Sequence, residues 1–215
     1  MDYLAIDHPT RELICGLCRQ FYTLGWASGT GGGIAIKHPT LDQILVAPSG
    51  VQKERLHRSD LFVVNLEGEV LQSPLNPTLT LSQCWPLFQH AFVKRGAGAI
   101  IHSHQQSAVL ASLYTGVGRF ELRGDFCEMV KGLRGKGYHD SVVIPVINNT
   151  AHECDLADSL GDAMDRHPDV DAVLVRSHGI YVWGSSWQQA KTQAECFDYL
   201  FKLYDRLNSR DWNGI

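Results

Sequence analysis

Apolar residues recur along this chain with two different periods, and the switching between them outlines the elements. Over residues 9–23, Leu13, Ile14, Leu17, Cys18 and Phe21 fall on one face at helical spacing. Pro9 suits the first turn of that helix and Gly25 ends it. The short runs "IAIK" and "QILVAPSG" predict strands, and "DLFVVN" and "EVLQ" flank Glu67-Gly68 as a hairpin. Residues 82–95 read as a helix with Ser82 as N-cap, Pro86 early and Gly96 closing it. A strand at 98–103, a helix at 105–114 and a short helix at 126–133 follow, then the strand "SVVIPVI". An amphipathic helix at 153–166 uses Leu156, Leu160, Ala163 and Met164. "DAVLVRSHGIYVWG" reads as two strand pieces about a turn at Gly179. The last helix, residues 186–208, places Ala190, Phe197, Leu200, Phe201 and Tyr204 on one face. Helices alternate with strands that are often neighbours in sequence. The prediction is an α/β fold with a mixed, mainly antiparallel central sheet covered by helices.

Composition narrows the function classes. The chain has 215 residues, 44% hydrophobic and 20% charged, the balance of a soluble globular protein with room for a sizeable core. No repeat or low-complexity linker divides it, so residues 1–215 are expected to form one domain. A formal net charge of -4 predicts binding neither to nucleic acid nor to an anionic membrane. No apolar run reaches the length of a membrane span. The N-terminus "MDYLAIDHPTREL" lacks the basic and apolar regions of a secretory signal. Six cysteines are scattered without a disulfide-framework spacing, which fits reduced thiols in the cytoplasm. Cys15 and Cys18 form a lone CxxC inside an amphipathic helix, where packing is the simpler role.

The candidate chemistry sits in the histidines. "IIHSH" puts His102 and His104 two residues apart at the end of a strand, so their side chains share a face. That spacing lets two imidazoles bind one cation, and a partly buried pair with satisfied hydrogen bonds is the plainer alternative. His178 stands at another strand end, directly before Gly179. Three neutral imidazoles with an open fourth position suit catalytic zinc, and imidazole also accepts iron, manganese or cobalt.

Two loops are candidates for anion binding. "GTGGGIAIK" joins the first helix to the first strand, where glycines allow backbone N–H groups to approach an anion. It is neither a Walker loop nor a dinucleotide fingerprint, because it precedes a strand rather than a helix. "APSGVQKERL" offers the Ser49 hydroxyl, the Gly50 amide and the Lys53 charge.

Together "GTGGGIAIK", "APSGVQKE", "SQCWPLF", "IIHSH" and "VRSHGIYVWG" resemble, in order and spacing, the class II aldolase/adducin family over residues 9 to 205. The resemblance implies a three-layer αβα domain. It implies one zinc per chain on His102, His104 and His178, and homotetramers with active sites near subunit interfaces. Departures from the family pattern mark the branch. Gly33 and Ala35 stand where the sugar-phosphate aldolases and epimerases carry Asn and Ser, and Cys84 stands where they carry a glutamate. The branch with Cys84 in "SQC" and Glu128 in "EMVKG" dehydrates 5-methylthioribulose 1-phosphate to 5-methylthio-2,3-dioxopentyl phosphate in methionine salvage. On that resemblance Glu128 is the general acid/base and Cys84 lies in the substrate pocket. Phosphate falls to Gly33, Ser49, Gly50 and Ser82, with Thr30 and Lys53 beside them. Read without the family, Glu128 is a solvated helix charge with Lys131 at i+3, and Cys84 a small buried hydrophobe. Two competing expectations are a zinc-dependent aldolase or epimerase of the same family and a non-catalytic adducin-like binding module.

Overall fold

The two periods resolve into nine strands and five α-helices among the residues that the computed structural model describes, 8–115 and 118–209. The strands are β1 (Gly33–Lys37), β2 (Ile44–Val46), β3 (Phe62–Val64), β4 (Val70–Gln72), β5 (Ala99–Ser103), β6 (Gly118–Leu122), β7 (Val142–Ile147), β8 (Ala172–Val175) and β9 (Gly179–Gly184). They form one sheet in the order β4-β3-β2-β1-β5-β9-β8-β7-β6. Every neighbouring pair is antiparallel except β7 and β8, so the sheet is mixed and mainly antiparallel, as the sequence predicts.

The helices are α1 (His8–Thr23), α2 (Trp85–Arg95), α3 (Gln106–Tyr114), α4 (Ala157–Arg166) and α5 (Trp187–Asn208). Strand alternation sends Ile34, Ile101, Ile180 and Val182 to one face, where they pack with Ile14 of α1, Ala108 of α3 and Phe197 of α5. Ala35, Ile100, Tyr181 and Trp183 point the other way, onto Phe88 of α2 and Leu160 of α4. The result is three layers, αβα. A fully buried Ile, Leu or Phe in either core contributes roughly 1.5–3 kcal/mol. Cys15 and Cys18 are both buried in the first core, and burial pushes their thiols up to about 11 and about 12, respectively. That is the packing role the lone CxxC suggests.

Several local features differ from the pattern. Residues 126–133 and the start of 153–166 wind as tight 3-10 turns, Glu128–Gly132 and Glu153–Leu156, rather than α-helix. The helix expected from Ser82 begins at Trp85, with Cys84 in the N-cap position. Ser82 instead makes the turn before it: its carbonyl accepts from Trp85 N at 3.0 Å and its Oγ from Cys84 N at 3.2 Å. The turn between β8 and β9 takes its positive φ at Ser177, not Gly179. Gly179 is needed for space, since a Cβ there would sit 2.1 Å from Ser103 O. Strand β6 escapes the apolar pattern because it is an edge strand whose exposed positions include Arg119 and Glu121, with only Phe120 and Leu122 buried. Of the N-terminal stretch 1–13, read as lacking the regions of a secretory signal, residues 1–7 lie outside the described residues. No helix among the described residues is long and apolar enough to cross a membrane.

The topology decides where chemistry collects. β5 runs antiparallel to both β1 and β9, so its C-terminal end lies beside the starts of β1 and β9. β8 runs antiparallel to β9 and parallel to β7, so the chain leaving β7 and β8 emerges at that same end. The glycine-rich loop, "HSH", Asn149 and His178 therefore meet.

Candidate metal centre

His102 is the fourth residue of β5 and His104 follows the strand end, so both rings leave the same face of the sheet, the α2/α4 side. His178 reaches them from the β8–β9 turn. The His104 Nε2 atom lies 2.9 Å from His102 Nε2 and 3.0 Å from His178 Nε2. With Glu153, these three histidines form the one group among the described residues whose ligand atoms, all within 4.8 Å of one another, could hold a metal ion. His102 is buried and the other three are half-buried, so the group opens towards solvent.

Hydrogen bonding on the far side of the rings settles what the near side offers. His102 Nδ1 donates to Ile180 O at 3.1 Å, and His178 Nδ1 donates to Asn149 Oδ1 at 3.0 Å. In neutral rings those bonds leave both Nε2 atoms as lone pairs. His104 can place at most one proton between them. Burial first, then the two neighbouring imidazoles, pushes His104 down to about 3; burial and His102 lower His178 as well. His104 and His178 are therefore neutral near pH 7, the form that binds metal. Lone pairs and a carboxylate crowded at about 3 Å repel unless a cation lies among them. A tetrahedral ion with metal–nitrogen bonds of about 2.0–2.1 Å spaces its ligands about 3.3 Å apart, close to what the imidazoles show. The donor set fits a divalent cation.

Glu153 is the residue sequence reading missed. It opens the 3-10 turn Glu153–Leu156, and its Oε1 lies 2.9 Å from His102 Nε2 and 3.8 Å from His178 Nε2. Tyr181 Oη donates to the same oxygen at 2.5 Å. Burial raises the Glu153 carboxyl, but His102, Tyr181 and Cys84 together hold it well below the usual carboxylate range, so it is ionised. Cys84 is buried beside this carboxylate, and its thiol is pushed far up by burial, then by the Glu153 charge. It is a neutral donor there, not a thiolate. The signal in the sequence was topological: residues just after β7 must emerge at the end of the sheet that carries His178.

The anion-binding candidates gather around the same end. Gly33 pairs in register with His102, and a Cβ on Gly33 would come within 4.0 Å of Ser82 Oγ. Ser49 N donates to Thr80 O at 3.0 Å, which ties the Ser49-Gly50 loop to the approach to Ser82. Lys53 is only 2% exposed, and its Nζ donates to Thr30 O at 3.1 Å. Burial lowers the pKa of this ammonium, against the pull of Cys18, Cys84 and Glu153. The glycines also back the histidines: a Cβ at Gly31 would sit 2.4 Å from His104 Nδ1, and Gly32 has a φ of +71 with His102 O 3.0 Å from the Cβ position.

Glu128 is placed differently. Its turn packs on α5 in the opposite layer, where Val130 is buried, while the Glu128 carboxylate faces solvent and pairs with Lys131 Nζ at 2.8 Å. Within one chain it does not join the histidines.

Three comparisons bear on this arrangement. A family model, the Class II Aldolase and Adducin N-terminal domain, matches residues 12–204. The probable methylthioribulose-1-phosphate dehydratase of Drosophila grimshawi is 50% identical over 214 residues, covering 96% of this chain and 91% of that protein. The methylthioribulose-1-phosphate dehydratase of Homo sapiens is 48% identical over 204 residues, covering 92% of this chain and 82% of its own length. Among solved structures, an L-fuculose 1-phosphate aldolase superposes with a TM-score of 0.77 at 20% identity, over 97% of this chain and 92% of that one. YgbL of Klebsiella pneumoniae, a putative aldolase/epimerase/decarboxylase, gives a TM-score of 0.76 at 22% identity, over 94% and 90%. These two structures share the αβα fold.

Proposed function

The chain belongs to the class II aldolase and adducin N-terminal domain family, and from that premise we propose that it dehydrates 5-methylthioribulose 1-phosphate. The product is 5-methylthio-2,3-dioxopentyl phosphate with release of water, a step of methionine salvage in the cytoplasm, carried out by residues 1–215 as one domain. The observation that carries this reading is the convergence of His102, His104 and His178 at 2.9 and 3.0 Å. It occurs on a chain about half identical, over nearly its whole length, to proteins named for this activity.

His102, His104 and His178 would hold one zinc per chain, and a metal there would supply Lewis acidity to a ketone oxygen brought against it. A base removes the C3 proton. The C4 hydroxyl departs with a proton as water, because hydroxide is a poor leaving group. The enol left behind tautomerises to the 2,3-diketone. Glu128 is the proposed acid/base that takes the one proton and returns the other. Because it faces solvent in the layer opposite its own chain's histidines, this role requires a neighbouring copy to present it. The reading therefore includes an oligomer with sites near subunit interfaces, a homotetramer by the family resemblance. Cys84 lines the substrate pocket as a neutral thiol. Gly33, Ser49, Gly50 and Ser82 hold the phosphate through amides and hydroxyls. Thr30 supports them, and Lys53 adds positive charge.

An aldolase or epimerase of this family would want a carboxylate where Cys84 stands. A binding module would have no use for converging lone pairs. The experiment follows diketone formation from 5-methylthioribulose 1-phosphate in the wild type, His104→Ala and Glu128→Gln, with aldol cleavage of fuculose and ribulose phosphates run alongside. Turnover that collapses in both variants supports the reading. An inert substrate with active aldol cleavage would replace it.

A further inference from the structure

One buried side chain touches two of the four converging groups. Tyr181 lies opposite His102 in the β5–β9 register and is fully buried. Its ring lies flat on the His102 imidazole, with centroids 4.1 Å apart and planes 10° from parallel. Its hydroxyl donates to Glu153 Oε1 at 2.5 Å, and that oxygen is the one 2.9 Å from His102 Nε2. Phe88 holds the tyrosine ring from the edge, with centroids 6.2 Å apart.

Two other members of the group each have a partner that fixes them from behind: Ile180 O for His102 and Asn149 for His178. Outer partners of this kind orient metal ligands. Glu153 comes from a four-residue turn rather than a strand. Its carboxylate would have several rotamers without such a partner, and the Tyr181 hydroxyl removes that freedom.

We propose that Glu153 is a fourth protein ligand of the resting site and that Tyr181 is the residue that positions it. This rests on the reading of the three histidines as a metal site. A filled fourth position means that an incoming substrate oxygen either displaces the carboxylate or expands the coordination to five. Tyr181 does not touch the reacting atoms; it acts through Glu153.

Cobalt(II) is the probe, because its visible absorption reports coordination number and geometry, and chelator competition gives its affinity. The full-length protein is stripped of metal and reloaded as wild type, Glu153→Gln, Tyr181→Phe and the double variant. Tyr181→Phe keeps the stacked ring and removes only the hydroxyl. Each single variant should weaken cobalt binding by about 10–100-fold and shift the cobalt spectrum in the same direction. The double variant should be no weaker than Glu153→Gln, since one residue works through the other. Circular dichroism of the metal-free proteins checks that each is folded. If Tyr181→Phe fails that check, the wild-type and Glu153→Gln spectra alone decide the ligand claim. Wild-type affinity and spectrum in Glu153→Gln would overturn it. Additive losses in the double variant, or a wild-type spectrum in Tyr181→Phe, would overturn the positioning role and leave the histidine site standing. Wild-type protein that takes up no cobalt at the histidines would remove the metal reading and this inference together.

Discussion

Glu128 and Glu153 occupy the same local structure in opposite surroundings. Each is the first residue of a short 3-10 turn, Glu128–Gly132 and Glu153–Leu156. Glu128 lies in the layer of α1, α3 and α5, its side chain 71% exposed and paired with Lys131. Glu153 lies in the layer of α2 and α4, its side chain 20% exposed and set against His102, Tyr181 and Cys84. What separates them is which strand each follows and which face of the sheet the chain crosses. The difference also divides the proposed work: Glu153 belongs to the metal group of its own chain, whereas Glu128 is free to serve a neighbour.

The largest effect should come from the histidines. His104→Ala removes the central nitrogen of the group, and metal content should fall to background by elemental analysis, taking turnover with it. The two glutamates come next and test the comparison itself. Glu128→Gln should cost about 10²–10⁴-fold in turnover while metal content stays at the wild-type level. Glu153→Gln should show up first as weaker metal binding. Loss of metal in Glu128→Gln with retention in Glu153→Gln would invert the assignment. Gly31→Ala is a smaller intrusion on the same site: its Cβ would lie 2.4 Å from His104 Nδ1, so the ring must shift. Metal affinity should drop by roughly tenfold with the fold intact, read by chelator competition.

The pH dependence of the metal-free protein follows from the depressed imidazoles. His104 is pushed down to about 3 from an ordinary value near 6.5, chiefly by burial. Between those values the unfolded chain binds the proton and the folded chain does not. Stability therefore falls as pH drops through that window and is recovered above about 6.5. Urea midpoints of apo protein should decline from pH 7 to pH 5, and less so in His104→Ala. At the small end, Lys131→Met removes an exposed i,i+3 pair and should change stability by about 0.2–0.5 kcal/mol, measured by urea unfolding.

The strands and most helices were legible because burial imposes a period. "IIHSH" reads as a strand with two histidines on one face, and that is how β5 presents them. His178 was legible as a strand-end residue before a glycine. Gly179, read as the turn itself, is the first residue of β9, where its missing Cβ lets the strand approach Ser103 O. β6 was hidden because an edge strand with exposed charges has little apolar signal. Glu153 was hidden because "NNTAHECDL" is polar and aperiodic, so no local pattern reports which side of the sheet it meets. Its position depends on the parallel β7–β8 pairing, a long-range property that no window of sequence contains. For Glu128 the local reading, a solvated charge with Lys131 at i+3, describes the single chain, with the pair at 2.8 Å.

The most direct test of the central claim is X-ray absorption at the metal edge of the purified full-length protein. The account predicts a bound divalent metal, zinc, with nitrogen and oxygen neighbours at about 2.0–2.1 Å and the multiple-scattering pattern of three imidazoles. A sulfur neighbour at about 2.3 Å would make Cys84 a ligand and contradict the site as drawn. Carefully prepared protein without metal would contradict the account altogether.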